Sequence, residues 1–145
     1  MNLQMPEEIL KKIHSQGERA YPEEGAGLLL GEVIADEKCV HEILTLPNVR
    51  EESARGNRYL ISPEDYMNGE QQAALQDLEV LGVYHSHPDH PSQPSEFDRQ
   101  WAWPSFSYLI TSVASGEAQG SRAWRLTEDR SSFIEEPIKI IERIT

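Results

Sequence analysis

The spacing of apolar residues along this chain changes several times, and each change predicts a new element. Ile9, Leu10 and Ile13 recur at helical spacing behind Pro6, Glu7 and Glu8, which predicts a short amphipathic helix ending near Gly17. Ala26 to Val33 and Val40 to Leu46 predict two strands joined through the polar turn Ala35-Asp36-Glu37-Lys38. Pro47 to Asn57 reads as a loop and Arg58 to Ser62 as another short strand. Pro63-Glu64-Asp65 opens a second helix, capped by Ser62 and running to about Asp77. Leu78 to His87 forms the next strand, and Tyr108 to Ser112 and Arg122 to Thr127 form later ones around a turn from Gly116 to Gly120. Ser132 to Ile144 fits either a strand or a short helix. The mixture predicts an α+β fold with a central sheet flanked by helices.

The strand from Leu78 to His87 carries the most distinctive chemistry. Successive side chains alternate faces in a strand, so His85 and His87 project to one side and Ser86 to the other. Pro88 and Pro91 end the strand, and Ser95-Glu96-Phe97-Asp98 reads as a helix start that brings Ser95 and Asp98 onto one face. Ser95 and Asp98 could serve simply as an N-terminal cap, a role compatible with a place in a site. His85, His87 and Asp98 make a three-ligand metal site. Structural zinc is usually closed by four protein ligands, and the chain has 1 cysteine, so an open, catalytic zinc position is the better reading.

These residues carry a family resemblance. His85-Ser86-His87-Pro88, the spacing to Ser95 and the spacing on to Asp98 resemble the His-x-His-x7-Ser-x2-Asp motif of JAMM/MPN-type zinc metallopeptidases. Tyr21 to Gly31, with Glu24 ahead of a glycine turn and an apolar strand, is similar to the family's upstream signature. Ala26 stands where many relatives have cysteine, a departure that touches no ligand. The resemblance runs loosely from Pro6 to Trp124. It implies a curved, barrel-like mixed sheet flanked by helices, the cytidine-deaminase-like JAMM/MPN architecture. It further implies Zn²⁺ on His85, His87 and Asp98, Glu24 as proton carrier and Ser95 as hydrogen-bond donor to the developing oxyanion. Compact prokaryotic members of such a family would hydrolyse an amide after the C-terminal glycines of a ubiquitin-like substrate, here a sulfur-carrier protein. Two other functions use the same sequence: a zinc amidase acting on a small molecule or unrelated peptide, and a non-catalytic interaction module.

Composition narrows the setting. A length of 145 residues suits one domain, 1–145. A net charge of −12 disfavours nucleic acid and anionic membranes and favours a partner with basic patches. No apolar run approaches membrane-spanning length and no signal peptide precedes the charged first segment, so a soluble, cytoplasmic protein without disulfides is expected. His90 reads as a residue on the rim of the site, His14 and His41 as structural, and Cys39 as a small semi-buried residue. The aromatic run from Trp101 to Tyr108 is expected to pack the helix bearing Asp98 against the sheet.

Overall fold

The computed structural model describes residues 2–46 and 62–142. In chain order the elements are β1 (Leu3–Pro6), α1 (Glu7–Ala20), β2 (Ala26–Ile34), β3 (Glu37–Leu46), α2 (Pro63–Leu75), β4 (Glu79–Pro88), α3 (Glu96–Trp101), β5 (Ser107–Ala114), β6 (Glu117–Leu126), β7 (Phe133–Glu136) and β8 (Ile138–Ile141). All the strands join one mixed sheet in the order β7-β6-β5-β4-β2-β3-β1-β8. β4 lies at its centre, antiparallel to β2 and parallel to β5.

The central strands are apolar on both faces because helices cover both. Leu29 and Tyr84 face α1 and pack with Ile9, Ile13 and Leu109. Leu28, Leu30 and Val83 face the other way, toward Ala73 of α2 and toward Tyr108. Full burial of each large aliphatic side chain contributes about 1.5–3 kcal/mol. That alternation sends His85 and His87 to the Val83 side, while Ser86 turns under α1. Gly82 lets β5 approach closely, since a Cβ there would lie 1.9 Å from the Ser107 carbonyl oxygen.

β7 and β8 occupy opposite edges of the sheet although only Pro137 separates them. The sheet therefore curls until its edges nearly meet, and the chain itself crosses the seam. Behind the seam, buried Lys38 of β3 donates to Ser107 Oγ at 2.7 Å and lies 3.9 Å from Glu136 of β7. Ser107 Oγ in turn donates to Glu136 at 2.6 Å. Burial pushes the Lys38 pKa down, against the pull of the Glu136 carboxylate.

Several boundaries differ from those expected. α1 continues past Gly17 to Ala20, because Gly17 faces Ser86 and Val113, where a larger residue would crowd the sheet. The β2–β3 turn tightens to Ala35 and Asp36, both with positive φ, so Lys38 lies in a strand and is buried rather than turned to solvent. The β5–β6 turn likewise tightens to Ser115 and Gly116, and Gly120 lies within β6. α2 has the expected start, with Ser62 Oγ accepting from the Asp65 amide, but ends at Leu75, just before Asp77 adopts positive φ. The ambiguous tail forms β7 and β8, split at Pro137, which has no N–H to offer a ladder. β1 was not legible as a strand. The expected loop at 47–57, the strand residues 58–61 and the last residues, 143–145, lie outside the described residues. So does the Trp101 side chain; of the remaining aromatic run, Tyr108 is buried, whereas Trp103 is half exposed and stacks with Tyr66 and Phe106.

Candidate metal centre

β4 presents His85 and His87 side by side, with ring centroids 4.9 Å apart and both side chains buried. Opposite them stands Asp98 on the first turn of α3. Its carboxylate lies 3.6 Å from His85 Nε2 and 3.2 Å from His87 Nε2. Ser95 and Asp98 form a reciprocal capping box: Ser95 Oγ accepts from the Asp98 amide at 3.0 Å, and the Ser95 amide donates to Asp98 Oδ2 at 2.8 Å. The cap thus orients the carboxylate toward the histidines.

Glu24 approaches from the loop between α1 and β2. Its carboxylate lies 3.3 Å from His85 Nδ1 and is buried. One ligand atom each from Glu24, His85 and His87 falls within 4.8 Å of the others, close enough to share one cation. Ser86 fixes the backbone beside Glu24. Its hydroxyl accepts from the Gly25 amide at 2.8 Å and its own amide donates to the Gly25 carbonyl at 3.0 Å. The residue between the two histidines therefore ties their strand to the loop carrying the carboxylate.

The protonation pattern favours a cation. His87 Nδ1 faces the Pro91 carbonyl oxygen at 2.9 Å, a group that can only accept, so Nδ1 carries a proton. The other ring nitrogen faces the Asp98 carboxylate, which is also an acceptor when ionised. Something positive must stand between them, either a second ring proton or a metal ion. Burial lowers the His87 pKa, but the hydrogen bond and charge of Asp98, with the Pro91 carbonyl and the Glu24 charge, more than offset it, and the net shift is upward. For Asp98, burial raises the pKa, while the His85 charge and the bonds from His87 and the Ser95 amide hold it down at about 2. Two imidazoles beside a carboxylate are a donor set suited to zinc.

A cleft of about 510 Å³ opens onto this cluster, lined by Glu24, His87, Ser95 and the prolines Pro88, Pro91 and Pro94. Exposed His90 also lines it. The other polar residues raised by the sequence stand elsewhere: His14 bonds Ser121 at 2.9 Å, His41 lies 2.9 Å from Glu32, and Cys39 is buried beside Gln4. Sequence reasoning missed the Pro91 carbonyl and Ser86 as supports of the cluster. A backbone carbonyl leaves no mark in the sequence, whereas Ser86 could have been found from its inward-facing place on a buried strand.

Comparison with known proteins places these features. Residues 6–127 match the family described as prokaryotic homologs of the JAB domain. A Thermus thermophilus protein named "Probable TtuB-protein conjugate cleaving protease" is 29% identical over 126 residues, 87% of this chain and 77% of that one. A Haloferax volcanii protein named "Desampylase" is 33% identical over 92 residues, 63% of each chain. Among solved structures, a Salinibacter ruber protein is 41% identical with a TM-score of 0.76, covering 96% of this chain and 92% of that one. A JAB1/MPN domain protein from Archaeoglobus fulgidus, 20% identical with a TM-score of 0.55, covers 96% of this chain and 99% of its own and shares the fold.

Proposed function

The chain belongs to the prokaryotic JAB-domain family, and from that premise we propose that it is a zinc metallopeptidase cleaving an amide bond after the C-terminal glycines of a ubiquitin-like, sulfur-carrier-type protein. The observation that carries this reading is the convergence of His85, His87 and Asp98 beside a cleft that Glu24 and Ser95 also line. The names of the two relatives, one for cleaving a protein conjugate and one for desampylation, support the substrate class. Residues 1–145 would act as one such domain, and a lone buried cysteine suits the cytoplasm.

His85, His87 and Asp98 would hold the zinc. Asp98 is assigned as a ligand because it faces Nε2 of both histidines, and Glu24 as the base because it lines the cleft beside them. Bound zinc supplies Lewis acidity, which acidifies water and polarises a carbonyl. Glu24 takes a proton from the attacking water and passes it to the departing amine. Ser95 Oγ uses a lone pair to cap α3, so its own proton is left to donate to the carbonyl oxygen as negative charge develops there. The proline walls of the cleft suit an extended tail without bulky side chains, gripped through its backbone. A −12 surface favours a carrier or conjugate with basic patches.

The test pairs metal content with cleavage of a ubiquitin-fold carrier linked to another protein through its terminal glycine. Wild type and Glu24→Gln should each retain one zinc, His87→Ala little, and only wild type should cleave. Stoichiometric zinc without cleavage would overturn the substrate assignment. Cleavage by Glu24→Gln at the wild-type rate would overturn the role of the base.

A further inference from the structure

The carbonyl that orients His87 belongs to Pro91, a residue with no N–H of its own to anchor it. Its neighbours are anchored instead. The His90 carbonyl accepts from Ser112 Oγ of β5 at 2.6 Å, and the Ser92 carbonyl accepts from Trp124 Nε1 of β6 at 3.0 Å. One residue earlier, the Asp89 amide donates to the Val113 carbonyl at 2.7 Å, and Asp89 Oδ1 accepts from the Ser115 amide at 2.9 Å. The loop after β4 is thus stitched to the β5–β6 hairpin at Asp89, His90 and Ser92, on both sides of Pro91.

We infer that Ser112 and Trp124 are positioning residues for metal capture: by holding the carbonyls on either side of Pro91, they fix the acceptor that keeps the His87 proton on Nδ1 and leaves Nε2 to the metal. This inference rests on the metallopeptidase reading of the site. Peptide planes are rigid, and the proline ring fixes φ, so pinning the flanking carbonyls leaves the Pro91 carbonyl little freedom to turn. Ser112 is well placed for this, since it pairs in register with His87 on the neighbouring strand. The Trp124 ring is itself held under the Arg122 guanidinium, 4.7 Å from the ring centroid. Both side chains direct their hydrogen bonds to loop carbonyls, so both act through the loop.

Groups that orient a metal-bound histidine typically contribute about 10–100-fold to metal affinity. Ser112 and Trp124 stand one bond further out, so the lower end of that range is expected for each. The experiment measures zinc affinity, by competition with a chelating dye, for wild type, Ser112→Ala, Ser112→Thr, Trp124→Phe, the Ala/Phe double variant and His87→Ala. Alongside it, ¹H–¹⁵N spectra of the zinc-loaded protein follow exchange of the His87 Nδ1 proton. Each single removal of a donor should weaken zinc about tenfold and speed that exchange, the double variant should lose more, and Ser112→Thr should restore both readings.

A purely structural role would lower unfolding stability without moving the proton signal. Wild-type zinc affinity and wild-type exchange in the double variant would overturn the inference, and if His87→Ala still loses zinc, the site reading survives that result. Failure of the wild type itself to bind zinc would overturn both.

Discussion

His87 stands between two acceptors, the Pro91 carbonyl and the Asp98 carboxylate, and this arrangement gives the metal-stripped protein a defined pH response. Its folded pKa lies above the ordinary 6.5, so the stability it contributes is fully present below 6.5 and is lost as pH rises through the folded value. Asp98 behaves oppositely: held at about 2 against an ordinary 3.8, it contributes above 3.8 and loses that contribution as pH falls toward 2. Chelator-treated protein should therefore be most resistant to urea between about pH 4 and 6.5 and weaken above that window. Zinc affinity should rise over the same upper range, because proton and metal compete for Nε2. Asp98→Asn should flatten the decline of the stripped protein above pH 6.5; an unchanged slope would show that another group causes it. The convergence of His85, His87 and Asp98 was legible because strand alternation and a serine–aspartate cap are local patterns. The acceptor that sets the His87 tautomer was not, since any loop residue offers a carbonyl and only the fold decides which one arrives.

α3 is only six residues long, too short to persist by its own hydrogen bonds, yet it carries Asp98. Its front is secured by the Ser95–Asp98 box and its back by Arg130, which donates to the carbonyls of Arg99, Gln100 and Ala102. Ser95 therefore serves both the helix and the proposed oxyanion, and the two roles can be separated. Ser95→Ala should cost about 0.5–2 kcal/mol of stability through the lost cap and about 100-fold or more in turnover through the lost donor. Ser95→Asn, a competent cap, should regain the stability, and urea unfolding beside steady-state kinetics would read the two effects apart. Full turnover in Ser95→Ala would remove the hydroxyl from the mechanism. Elements read from local signals matched well: Ser62 before Pro63 and the apolar run of β2 both marked real boundaries. β1 escaped because four residues pairing in parallel with β3 and β8 leave no periodic signature. Lys38 was misplaced in a turn because a charged residue beside Asp36 and Glu37 looks solvated until its distant partner is known.

For the whole molecule, that partner lies across the interior of the nearly closed barrel. At the seam between β7 and β8 no ladder of backbone bonds joins the two edges, and the buried set Lys38, Ser107 and Glu136 spans β3, β5 and β7 across the interior. Breaking a buried pair by removing one partner typically costs about 3–5 kcal/mol, because the remaining charge is stranded away from water. A domain of this kind is stable by only about 5–15 kcal/mol, so such a loss is a large share of the total. Lys38→Met and Glu136→Leu should each lower urea stability by about 3–5 kcal/mol. The triple variant Lys38→Met, Glu136→Leu, Ser107→Ala leaves no stranded polar group among these three, and it should recover to near wild type or exceed it. Single losses below about 1 kcal/mol would mean that water reaches the seam and the ions are not truly buried. Recovery of stability together with weakened zinc binding would carry a further meaning. β5 bears Ser107 in the buried polar set and Ser112 beside the His87 loop, so a barrel that forms without that set but shifts β5 along β4 would misplace the loop's anchor. The buried charges would then serve register rather than stability, and the candidate metal site would report on it from the other end of the same strand.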